Sequence, residues 1–290
     1  MPVADVDGLE IAYEIHGDGD QTWVLTPGGR FSKDYGGVRE TAEALAARGR
    51  RVVIWDRPNC GASSVGFTGP SESEVQADAL AGLVRSLDLG PVVIAGGSGG
   101  SRVSLLAAAR HPDIAAGLAI WWISGGVYGL MTLGCHYCGD SISAAWTGGM
   151  AAVVELPTWR EVLERNTANR ERMLALDPRE FIATMERWMV AYAPREEQLV
   201  PGLADADLTR VAAPTLVFRS GASDSNHTRA TSEGVAALIP GARLVEPPWG
   251  DREWVERTQA AAARGQALFE RWPLLVPQLT EWNDAIDARV

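Results

Sequence analysis

Residues 92–101 read Val-Val-Ile-Ala-Gly-Gly-Ser-Gly-Gly-Ser, an apolar run closed by a glycine-flanked serine. No other stretch constrains the fold as tightly. The run is short and β-branched, so it reads as a buried strand. Ser101 to Arg110 reads as a helix stopped by Pro112. A strand that turns into a helix within so few residues strains the central backbone position and tolerates only small neighbours. Gly96-Gly97-Ser98-Gly99-Gly100 fits G-x-S-x-G in that setting, which pushes the Ser98 hydroxyl clear of the sheet, above a helix N-terminus. Phosphate-binding patterns fail here. No G-K-[ST] follows, and G-x-G-x-x-G counted from Gly97 puts Arg102 where the third glycine belongs. The bland alternative is a plain glycine turn.

The same strand–helix rhythm runs on both sides of this turn. Strands are expected at Leu9 to Ile15, Trp23 to Leu25, Arg51 to Trp55, Leu118 to Ile123, Thr215 to Phe218 and Arg243 to Val245. Helices are expected at Val38 to Arg48 and Ser73 to Leu87. Alternation of this kind makes an α/β fold with a mostly parallel sheet flanked by helices. It breaks between Gly125 and Val211, where only helical patches remain: Thr158 to Asn166, Arg170 to Leu176 and Pro178 to Tyr192. The expected organisation is a core domain of residues 1–125 and 212–290, with residues 126–211 as a helical cap inserted after the sixth strand. Trp121, Trp122, Trp146, Trp159 and Trp188 lie in or beside that insertion, as core between cap and sheet or as the wall of an apolar pocket.

Composition excludes several function classes. At 46% hydrophobic and 22% charged the chain is globular, and 26 Lys+Arg against 37 Asp+Glu give a net charge of −11. With no basic run, nucleic acid is not an expected partner. An odd count of 3 cysteines and an N-terminus without a basic flank point to a cytoplasmic protein. Ile114 to Gly139 carries no Asp, Glu, Lys or Arg, yet its glycines and His136 fit a buried strand and a covered loop better than a membrane span. Cys135-His136-Tyr137-Cys138 lacks the second pair a structural zinc site needs and the context of a redox motif, so packing or pocket lining is expected.

At these residues the chain resembles the α/β-hydrolase superfamily, in its serine-nucleophile branch with a helical cap, along nearly its whole length. Thr26-Pro27-Gly28-Gly29-Arg30 stands where that family has its oxyanion loop. Asp56-Arg57-Pro58-Asn59-Cys60-Gly61-Ala62-Ser63 is similar to its D-x-x-G-x-G-x-S turn, and Gly221-Ala222-Ser223-Asp224 to the loop of its catalytic acid. The resemblance implies Ser98 as nucleophile, Gly99 with Gly28 or Gly29 as oxyanion donors, and Asp224 as the acid. One part departs. The family's Gly-His pair after the last strand is here Gly250-Asp251, and no histidine follows His227. A carboxylate at that place repels Asp224 instead of being oriented by it. His227, three residues beyond Asp224, and His136, early in the cap, are the candidate replacements; the third option is no histidine base. His16 and His111 read as surface or capping residues.

The expected function is a cofactor-free hydrolase acting through Ser98 on an ester, lactone, amide or carbonyl-adjacent C–C bond of a small or medium apolar substrate. Trp122, Tyr137, Trp146, Trp188 and Trp249 are its candidate substrate-binding residues, and no metal or membrane partner is expected. Two rivals keep the fold: a non-hydrolytic enzyme (lyase, cofactor-free oxygenase or cyclisation catalyst) and a ligand-binding protein without turnover.

Overall fold

A computed structural model describes residues 1–287. Among them, β1 (Val3–Val6), β2 (Leu9–His16), β3 (Thr22–Thr26), β4 (Arg51–Trp55), β5 (Val92–Gly97), β6 (Ala115–Trp121), β7 (Thr215–Phe218) and β8 (Arg243–Val245) form one sheet in the order β1-β2-β4-β3-β5-β6-β7-β8. The β1/β2 and β2/β4 pairs are antiparallel and the rest parallel. Between and after the strands lie α1 (Val38–Ala46), α2 (Glu72–Ser86), α3 (Gly99–Arg110), α4 (Val127–Gly134), α5 (Asp140–Val153), α6 (Pro157–Arg165), α7 (Ala168–Leu174), α8 (Pro178–Val190), α9 (Asp205–Leu208), α10 (Arg229–Leu238), α11 (Glu253–Arg264) and α12 (Val276–Asp287).

The central strands are apolar throughout because helices cover both faces of the sheet. Side chains alternate between two cores with the two-residue period of a strand. Val24, Val53, Ile94 and Val217 pack with Leu80 and Leu83 of α2, Val103 of α3 and Val235 of α10. Trp23, Leu25, Val52, Ile54 and Val93 face the other way, onto Val38 and Leu45 of α1 and Leu279 and Trp282 of α12. The parallel register pairs Thr26 with Gly96 and Gly97 with Trp121, so the loops after β3, β5 and β6 emerge side by side at one end of the sheet.

α4 to α8 stand over that end around a core of their own, including Met150, Trp159, Met173, Phe181, Met185 and Trp188. The end of the expected cap behaves differently: Val200, Leu203, Leu208 and Val211 pack into the sheet's core. The covered loop expected after β6 is helical instead, as α4, a π-turn at Cys135–Gly139, and α5. Its lack of charge disguised it, because the outward face of α4 carries Val127, Tyr128 and Met131, all more than half exposed. No helix among the described residues is long and apolar enough to cross a membrane. β1 was not expected from its own composition. Asp7 and Gly8, both at positive φ, close a two-residue hairpin that pairs Val6 with Leu9.

Candidate active site

Ser98 sits between β5 and α3 at φ 57 and ψ −123, outside the conformations an L-residue adopts freely. Its N–H is held by the Trp121 carbonyl at 3.1 Å. Small residues let the turn close: a Cβ on Gly100 would lie 2.1 Å from the Thr26 carbonyl oxygen, and one on Gly28 would lie 2.9 Å from the Ser98 Cβ. The hydroxyl is half-buried, as a group that must meet both solvent and protein needs to be.

The structure brings Ser98, His227 and Asp224 into one relay. His227 Nε2 is 2.8 Å from Ser98 Oγ, and His227 Nδ1 is 2.9 Å from Asp224 Oδ2. A carboxylate only accepts, so Nδ1 carries the proton and Nε2 accepts from the serine hydroxyl. One turn of chain holds the pair. Asp224 Oδ1 accepts the N–H groups of Asn226 at 3.0 Å and His227 at 2.9 Å, folding the loop back so that the imidazole lies beside its own acid. The Asp224 and His227 side chains are both almost fully buried. Such a relay can draw a proton from Ser98 and stabilise the resulting imidazolium.

Two backbone N–H groups lie close together beside Ser98: a Cβ on Gly99 would stand 3.0 Å from the Gly29 nitrogen, and neither amide donates to a protein acceptor among the described residues. The loop carrying Gly28 and Gly29 is fixed from behind by Arg57, a residue to which sequence reasoning assigned no role. Its buried Nη2 donates to the carbonyls of Gly28 at 3.1 Å and Gly29 at 2.7 Å. Holding the carbonyls outward leaves the amides inward. The signal was present in the Asp56-Arg57-Pro58 turn, but only the fold shows what that guanidinium reaches.

The other expected site residues divide. Trp122, at a strained φ of 50, stacks over His227 with ring centroids 6.3 Å apart and lies 5.5 Å from Trp249. Tyr137 reaches the oxyanion loop, its hydroxyl 3.8 Å from where a Cβ on Gly29 would be. Trp146, Trp188 and His136 stand apart from the relay. Trp146 is 67% exposed on α5, and Trp188 is buried among α4 to α8 against Phe67. Among the described residues no hydrogen bond or ring contact joins either to the relay, because helical spacing turns one outward and the other into the core of those helices. His136 lies exposed on the π-turn, without a hydrogen bond to Ser98. Asp251 pairs with Arg229 on the surface, while its backbone carbonyl accepts the Ser223 N–H at 3.0 Å and so braces the acid's loop. In the C-x-x-C stretch, burial pushes the Cys138 thiol up to about 12, whereas Cys135 is exposed.

Comparison with known proteins agrees with this fold. Residues 24–120 match the alpha/beta hydrolase fold family. Over 110 residues the chain is 33% identical to a 2-hydroxy-6-oxononadienedioate/2-hydroxy-6-oxononatrienedioate hydrolase 1 of Dechloromonas aromatica, a match covering 38% of each protein. A similar hydrolase from Burkholderia vietnamiensis is 31% identical over 113 residues, or 38% of this chain and 39% of that one. The matches thus span under two-fifths of the length of these curated relatives. Among solved structures, the enol-lactonase of Burkholderia xenovorans LB400 superposes with a TM-score of 0.60 at 21% identity, covering 98% of this chain and 100% of that one. The sheet order, the strained serine turn and the family match over residues 24–120 give this chain an α/β-hydrolase fold.

Proposed function

We propose that the protein is a cofactor-free serine hydrolase whose base is His227, supplied by the acid's own loop. The observation that carries this reading is the unbroken relay from Ser98 Oγ through both nitrogens of His227 to Asp224 Oδ2. It removes the reason for preferring a non-hydrolytic enzyme, which was the lack of any histidine after β8.

The reaction follows from the positions. Ser98 Oγ bonds to the substrate's carbonyl carbon while its proton passes to His227 Nε2. The carbonyl oxygen becomes an oxyanion held by the N–H groups of Gly99 and Gly29; losing one such donor costs ~3–4 kcal/mol in a comparable site. His227 then gives its proton to the departing alkoxide, amine or carbanion, and the acyl group stays on Ser98. Water attacks the acyl carbon, yields a proton to His227, and that proton returns to Ser98 Oγ. Asp224 stays ionised throughout and holds the ring in register.

Aromatic rings lie close to the serine turn and to His227: Phe269 is 3.0 Å from where a Cβ on Gly28 would stand, Tyr137 reaches Gly29, and Trp122 stacks on His227 with Trp249 beside it. A small or medium apolar acyl compound suits that lining, and the relatives' names, a dienedioate hydrolase and an enol-lactonase, fit an ester, lactone or activated C–C bond. Intact-mass labelling with a fluorophosphonate tests the assignment. The parent takes up one probe and Ser98→Ala takes up none; labelling that survives Ser98→Ala, or a parent that stays unlabelled, refutes it.

A further inference from the structure

The segment after β8, which lacks a histidine, brings an arginine to the relay instead. Arg257 of α11 is buried, its side chain 6% exposed, with its guanidinium carbon 3.8 Å from the centre of the Trp122 ring and 4.8 Å from that of Trp254. Both rings flank His227, one stacked at 6.3 Å and one edge-on at 5.7 Å. Arg257 Nε donates to Glu253 Oε1 at 2.8 Å. Its Nη2 stands 3.8 Å from Asp224 Oδ2 and is buried without a hydrogen-bond partner.

We propose that Arg257 is a positioning residue for the Ser98–His227–Asp224 relay, holding the Asp224 carboxylate turned toward His227 and clamping the indoles that pack on the imidazole. The inference rests on the relay being catalytic. Glu253 anchors the guanidinium, so the buried pair is an oriented dipole whose positive end faces Asp224. In a poorly solvated site that cation acts strongly on the carboxylate and, through it, on the ring. A fixed cation there opposes the gain of a second positive charge on the ring. The charged groups around the relay are Glu253 and Arg257 on α11 and Arg271 just beyond it, which acts on both. The Arg229–Asp251 pair lies outside, on the surface.

The test is the fluorophosphonate labelling rate as a function of pH. Arg257→Gln is expected to move the acid limb upward by about one pH unit, from the Coulomb effect of one charge at this distance. Arg257→Lys, which keeps the charge, is expected to stay near the parent. Because Arg257→Gln leaves Glu253 buried without its cation, the double variant Glu253→Gln/Arg257→Gln removes the pair together and protects folding. It is expected to keep about half of the upward shift. An acid limb that stays at the parental position in the double variant overturns the proposal, as does an unmoved limb in a folded Arg257→Gln. His227→Ala separates the two levels. If it labels at the parental rate, the relay itself is misread; if it is silent while the Arg257 variants keep the parental limb, only the positioning role fails.

Discussion

Arg57→Met isolates what the oxyanion loop owes to its support. The substitution keeps an unbranched chain of similar length in the buried space and removes the guanidinium. Two carbonyls, of Gly28 and Gly29, then lose a charged donor at 3.1 and 2.7 Å. Hydrogen bonds to charged groups contribute about 1.5–3 kcal/mol each; the Gly28 carbonyl keeps the Phe31 N–H at 3.2 Å, so among the described residues only the Gly29 carbonyl is left without a donor. Allowing for partial rehydration, a loss of roughly 3 kcal/mol in urea-unfolding free energy is expected. Function falls as well. With one of its two donors gone, the Gly28–Gly29 peptide can turn the Gly29 amide out of line, and losing one oxyanion donor lowers turnover about 10²- to 10³-fold. The assay is hydrolysis of p-nitrophenyl acetate, with kcat and KM separated, alongside urea melts of both proteins. The expected signature is a fall in kcat with little change in KM, since the amide acts on the transition state. A variant that loses the stability but keeps kcat refutes the reasoning, because the loop then holds its amides without Arg57.

Other substitutions test the fold and its charges. Gly100→Ala places a methyl 2.1 Å from the Thr26 carbonyl and 2.6 Å from that of Pro27, so the strand–turn–helix cannot close; a loss of more than about 3 kcal/mol in urea unfolding is expected. Trp188→Ala empties the cap's core and costs about 3–5 kcal/mol, whereas Trp146→Ser on the surface changes unfolding by less than about 0.5 kcal/mol. Glu14, held down to about 2 by the guanidinium of Arg39 and by Lys33, gives a pH-dependent contribution. A carboxylate depressed on folding stabilises above its unfolded pKa and loses that contribution as pH falls through the folded one. Glu14→Gln should therefore cost ~1–2 kcal/mol at pH 7 after solvent screening, and the difference should close between about pH 4 and pH 2.

The serine turn and most strands are legible in the sequence because each rests on local chemistry. β4, β7 and β8 fall where their apolar runs begin and end. β1 was overlooked although Asp7-Gly8 announces its hairpin, since four residues alternating in burial carry little signal by themselves. α4 is not legible as a helix in the sequence because an apolar helix without a polar face has no amphipathic period to detect. At the site, the sequence shows that the base is missing from its ordinary place, and it leaves His227 and His136 as alternatives. Nothing local chooses between them. The turn that folds His227 back on Asp224, and the register that sets Ser98 opposite, bring His227 and not His136 beside the serine, which is why we propose it as the base. Arg57 and Arg257 escaped for a related reason: each acts on residues of another segment, across 28 or more residues of chain.

The central claim is that the base has moved onto the acid's loop, and the fluorophosphonate labelling rates of His227→Ala and His136→Ala test it most directly. The account predicts that His227→Ala lowers the rate about 10³-fold or more, as expected when a serine loses its base, while His136→Ala labels like the parent. A His227→Ala protein that is folded and labels at the parental rate contradicts the account, and a collapse of labelling in His136→Ala alone would place the base in the cap.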